Sequence, residues 1–209
     1  MKGPSPTWWV GVLAFVILAY ILVNNLRTEG PGSRGLEPGA SVPAFAAPLV
    51  LSDLEGDANL ATEGNLGDAG PVPACGVEGE DVLNGCDLVR DGPAVIGFFF
   101  NRGADCEGGF DRLQQLADAR PDINVAGVML GDRDDLRETV RENGWTFPIA
   151  HDNDRALSTV FGVLVCPEYV LTVPPGRVAK TLIGADVDLE AEVRETLFGK
   201  GVRPLSEGG

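Results

Sequence analysis

Residues 94–106 read AVIGFFFNRGADC. From Ala94 to Phe100 the stretch is apolar and carries no charge. An unbroken run rich in β-branched and aromatic residues predicts a strand, Ala94–Asn101, buried on both faces. Cys106–Ala119 follows, with Phe110, Leu113, Leu116 and Ala117 on one helical stripe. A doubly buried strand feeding an amphipathic helix is the beginning of a parallel βαβ unit. One cysteine, Cys106, stands where the helix opens.

Downstream the alternation continues. Ile123–Leu130 is a second apolar run, hence a second buried strand. Asp134–Asn143 is predicted helical, with Leu136 and Val140 four apart and Gly144 as its stop. Phe147–Ala150 reads as a short strand and Arg155–Phe161 as a short helix. Tyr169–Val173 and Arg177–Ile183 read as strands joined by Pro174-Pro175-Gly176, a hairpin. Leu189–Phe198 closes the series as a helix. The order β-α-β-α-β-α-β-β-α predicts an α/β sandwich, a central mixed sheet flanked by helices. It occupies residues 41–199, roughly 160 residues and enough for one core.

Upstream the chain changes character. Trp8 to Val23 reads WWVGVLAFVILAYILV, apolar on every side, with Trp8, Trp9 and Tyr20 placed as an aromatic belt. With its Asn24-Asn25-Leu26 extension it approaches the ~20 residues of a membrane span. Residues 8–26 are therefore read as one transmembrane helix after a short tail, residues 1–7. A cleaved signal peptide is the alternative, but YILVNNLRTEG offers no small-x-small cleavage site. Lys2 on one side and Arg27 and Arg34 on the other leave the charge rule near a tie. Residues 27–40, which contain EGPGSRGLEPG, read as a flexible linker, and residues 200–209 as a disordered tail.

The charge balance excludes whole classes of function. Sixteen Lys and Arg against 31 Asp and Glu leave a formal charge of −15. No nucleic-acid partner is expected, because phosphate binding needs a basic footprint. One histidine cannot build a His-rich metal site, and the four cysteines lack any C-x₂₋₄-C unit. No phosphate-cradling glycine loop appears. Neither metal nor cofactor is expected. Asp132–Asp135 and Asp152–Asp154 lack the full calcium-loop pattern and read as solvated helix starts. His151 reads as a surface or half-buried polar residue.

Several stretches together resemble the thioredoxin-like superfamily, in particular its membrane-anchored TlpA-like and redoxin (peroxiredoxin-like) groups. SVPAFAAPL (41–49) resembles the family's opening segment, and residues 94–106 its strand into the redox motif. TFPIAHD (146–152) resembles the stretch before the third helix. FGVLVCPEYVLTVPPGR (161–177) resembles the passage through a cis-proline into the hairpin. The likeness covers most of residues 41–199. This chain departs from the family at Gly103-Ala104-Asp105-Cys106, where thioredoxins carry CxxC: Gly103 replaces the attacking cysteine. It matches the Thr/Ser-x-x-Cys of peroxiredoxin-like members no better. A second departure is a Gly-rich insertion, about residues 65–91, that holds Cys75 and Cys86.

Cys75 and Cys86 lie in a segment poor in apolar residues, so a structural disulfide is expected there. Closing such a loop is worth about 2–3 kcal/mol. It would persist only in an oxidising compartment, which places the soluble domain outside the cytoplasm and the N-terminus inside. A regulatory or substrate-reducing pair is the alternative. At Cys106 the helix dipole and free amides favour a thiolate. Arg102 adds positive potential; Asp105 and Glu107 oppose it. The other reading of Cys106 is an inert buried thiol.

The resemblance implies that Pro167 is cis and that Cys166 borders Cys106. A Cys106–Cys166 disulfide would then replace, across space, the partner missing at Gly103. In that reading Cys106 attacks a disulfide or peroxide and Cys166 resolves the intermediate. The expected function is a membrane-anchored, extracytoplasmic thiol–disulfide oxidoreductase or thiol peroxidase. Its partners would be membrane lipid, through the helix, and protein thiols, disulfides or peroxide. The competing expectation is a non-catalytic binding or scaffold protein with structural disulfides.

Overall fold

The structure is a computed structural model and describes residues 15–18, 20, 35–64, 72–100 and 105–199. The chain divides into Met1–Gly32 and Ser33–Gly209. In the first unit residues 15–18 and Tyr20 are helical and exposed. Among the described residues no helix is long and apolar enough to cross a membrane. Most of the 8–26 span lies outside the described residues. So do Arg102, Gly103, residues 65–71 and the 200–209 tail.

In chain order the second unit contains β1 (Ala46–Pro48), β2 (Val82–Asn84), α1 (Gly85–Leu88), β3 (Ala94–Phe100) and α2 (Asp105–Ala119). Then come β4 (Asn124–Leu130), α3 (Arg133–Asn143), β5 (Ile149–His151) and α4 (Ala156–Val160). β6 (Glu168–Val173), β7 (Arg177–Ile183) and α5 (Leu189–Phe198) complete it. The main sheet runs β5-β4-β3-β6-β7. β3 pairs parallel with β4 and antiparallel with β6, so the sheet is mixed.

The central position of β3 follows from its composition, since a strand flanked by strands and covered on both faces must be apolar throughout. Val95 and Phe99 join the cluster of Phe110, Leu113 and Val193 from α2 and α5. Ala94, Ile96 and Phe98 join the opposite cluster with Phe45 and Phe161. Gly97, between them, lets the Leu113 side chain rest on the sheet where a methyl group would collide with it. The α3 helix begins where Asp132 accepts from the amides of Asp134 and Asp135, and ends at Gly144 with φ +70°. Its Arg133 and Arg137 donate to the carbonyls of Leu49, Val50, Ser52 and Leu54, and so tie the segment after β1 to the domain.

Three expectations change. Residues 72–91 are not a bare stapled loop. β2 pairs with β1 in a small antiparallel sheet, and Ala74, Leu83 and Val89 are buried. Periodicity could not show this, because each strand spans only 3 residues. Residues 35–40, expected in the flexible linker, are tied to β7. Gly39 N donates to Val178 O (2.7 Å) and Thr181 Oγ1 to Leu36 O (2.7 Å). Asp152 is not solvated. It is fully buried and accepts from the amides of Leu157 and Ser158 and from the Ser158 hydroxyl, which starts α4.

Candidate redox site

The residue after β3's exit that matters most is Cys106, second in α2 and only 2% exposed. Cys166 lies 60 residues on, half-buried, just before β6. The two form a disulfide with Cα atoms 5.3 Å apart. The Cys166–Pro167 peptide is cis. Leu164 (66% exposed) and Val165 (45%) stand beside Cys166 at the surface.

What seats this loop is Gly109. A Cβ there would lie 2.5 Å from Pro167 Cβ and 3.0 Å from the Tyr169 hydroxyl, so only glycine admits both. Tyr169 pairs across the strands with Gly97, beside the space that Leu113 takes there. Its hydroxyl donates to Gly109 O (3.1 Å) and accepts from Arg112 Nε (3.3 Å). Burial pushes the Tyr169 pKa up, with Arg112 acting in the opposite direction.

Glu168 faces away from Tyr169, as alternation along a strand requires. It is fully buried beneath Gly35 and beside Thr181, and neither carboxyl oxygen has a hydrogen-bond partner. Desolvation pushes its pKa up to about 8. His151 is buried too, where a surface or half-buried position was expected, with Nε2 3.0 Å from Gly131 O. Among the described residues no three His, Cys, Asp or Glu side chains converge as a metal site.

No family model matches the chain, and no curated protein matches it. Solved structures do. A putative thiol:disulfide interchange protein DsbE from Chlorobium tepidum is 18% identical over 78% of this chain and 99% of its own, with TM-score 0.57. The thioredoxin domain of a thiol-disulfide oxidoreductase from Bacteroides vulgatus is 14% identical over 76% and 97%, with TM-score 0.54. A hypothetical protein from Sinorhizobium meliloti 1021 is 14% identical over 82% and 90%, with TM-score 0.58. The domain has the thioredoxin-like fold.

Within the thioredoxin-like domain, Cys75 and Cys86 form a second disulfide with Cα atoms 5.4 Å apart. The residues that sequence reasoning missed are Gly109, Arg112, Glu168 and Tyr169. Two had a signal. Gly108-Gly109 inside a helical stripe is costly unless a close approach requires it. Glu168 is a charged residue at the head of the apolar run EYVLTV. Arg112 and Tyr169 had none, since their contact joins positions 57 residues apart.

Proposed function

We propose that the protein is a thiol–disulfide oxidoreductase that works through the Cys106–Cys166 pair. The observation that carries this reading is a disulfide that joins the first turn of α2 to the loop before β6, with Cys106 buried and Cys166 half-buried. Exposure supports roles opposite to those expected from sequence. Cys106 is nearly sealed and Cys166 is half-buried. An incoming thiolate therefore attacks Cys166 Sγ, and the Cys106 sulfur leaves as a thiolate. Its place in the first turn of α2, at the positive end of the helix dipole, favours that thiolate. A second thiolate of the same substrate then attacks the substrate sulfur bound to Cys166. The substrate leaves as a disulfide, and Cys106 and Cys166 are left reduced. The reverse sequence reduces a substrate disulfide.

The test is trapping. Cys106→Ser should hold a mixed disulfide at Cys166 with a disulfide substrate such as oxidised insulin, the substrate's other sulfur leaving as a thiolate, and Cys166→Ser should trap far less at Cys106. Both variants should lose insulin or hydrogen peroxide turnover. Equal background rates in parent and variants would overturn the catalytic reading. They would favour the second one, a binding role, which Gly103 at the family's attacking position supports.

The apolar Trp8–Val23 run supports a membrane anchor, with the domain outside the cytoplasm where two disulfides persist. Full-length protein should co-float with lipid vesicles and resist carbonate extraction. Recovery in the soluble fraction would refute the anchor.

A further inference from the structure

Cys75 sits in a single 3-10 turn, Ala74–Gly76, and Cys86 in α1. Both turns are held without the sulfur atoms. The buried Asn84 side chain lies between them. Its Nδ2 donates to Ala74 O (3.1 Å) and Val77 O (2.8 Å) on the Cys75 side. Its Oδ1 accepts from Cys86 N (2.9 Å) and Asp87 N (3.3 Å) on the other. Ala74 N donates to Ala61 O and Gly85 N to Phe45 O, each at 2.8 Å. Leu83 and Val89 bury themselves on the same cluster as Phe45. A disulfide acts mainly by restricting the unfolded chain. Here it is not what shapes the folded turn. Opening it leaves two thiols on backbones still 5.4 Å apart at Cα, placed to close again.

Access points the same way. Cys75 is exposed and Cys86 half-buried, and both line an open groove of about 410 Å³ with Val42, Val89, Arg90 and Pro175. Exchange rates follow access to the attacked sulfur.

We propose that Cys75–Cys86 is a second thiol–disulfide exchange site, one that takes two electrons from a dithiol entering this groove. The incoming thiolate attacks Cys75 Sγ, the Cys75–Cys86 bond breaks, and Cys86 leaves as a thiolate that takes a proton from solvent. The second thiolate of the reductant attacks its own sulfur in the mixed disulfide. The reductant departs oxidised, and Cys75 is released as the second thiol. The site does not depend on the activity of Cys106 and Cys166.

Dithiothreitol titration of the full-length protein, read by alkylation mass spectrometry peptide by peptide, tests it alongside amide hydrogen exchange. Cys75 and Cys86 should become alkylated while β1 and β2 keep their protection, and exchange of the reductant for oxidised glutathione should restore the same pair, with glutathione reduced. With oxidised glutathione, Cys75 in Cys86→Ser should form its mixed disulfide at least tenfold faster than Cys86 in Cys75→Ser. Reduced Asn84→Ala should lose the protection that reduced parent keeps. Loss of β1 and β2 protection on opening the bond in the parent would overturn the proposal. So would a pair that stays closed while Cys106–Cys166 opens, or glutathione rates equal or reversed in order.

Discussion

Glu168 is a carboxyl group in an apolar enclosure of Phe98 and Ile183 on the neighbouring strands, Thr181 and the Gly35 backbone. Its folded pKa, about 8, lies above the ordinary 4.5. Between those two values the folded state binds more protons than the unfolded state. Stability from this group is therefore complete below about pH 4.5 and is lost as pH rises toward about 8. Glu168→Gln removes the titration. Its melting temperature should fall less than the parent's between pH 5 and 8. At pH 8 it should melt a few degrees higher, the response to about 1–2 kcal/mol in a domain of this size. Matching slopes in thermal scans of the two proteins would refute the burial of a neutral Glu168. The adjacent glycines of α2 give a second contrast. Gly108→Ala meets only Arg112 Nη1 at 3.9 Å and should stabilise by about 0.5–1 kcal/mol through helix propensity. Gly109→Ala drives a methyl group to 2.5 Å from the Pro167 ring and should destabilise by about 1–3 kcal/mol. Chemical denaturation of the pair measures both signs.

At the scale of elements, β3 and α2 carry the site between them, while β6 brings in its other half from 60 residues away. The α3 helix has a separate role, since its arginines hold the chain between Leu49 and Leu54. Its own start depends on Asp132. Asp132→Ala should cost about 1 kcal/mol, the usual worth of an N-cap, with redox turnover unchanged. A loss of turnover larger than the loss of stability would show that α3 acts on the site directly. The long apolar and amphipathic elements were legible in the sequence because burial imposes a period on them. β1, β2 and α1 were not. Segments of three or four residues hold little more than one period, too short to show a repeat, and their formation depends on partners such as Ala46 and Asn84 meeting across the sheet.

For the molecule as a whole, a formal charge of −15 means self-repulsion in the compact state. Raising sodium chloride from 10 to 150 mM, which shortens the screening length to about 8 Å, should raise the melting temperature by a few degrees. A fall would show that the surface ion pairs outweigh the repulsion. The sequence alone determined the order of strands and helices from β3 onward, the doubly buried centre of the sheet, the acidic surface and the cysteine at the head of α2. Each is set by local composition and period, which the chain carries residue by residue. Only the tertiary structure decided that Cys106 is buried and Cys166 half-buried, that Glu168 is enclosed without a partner, and that Asn84 holds the turns of Cys75 and Cys86. Those properties belong to the space between elements, and that space exists only once distant segments have packed.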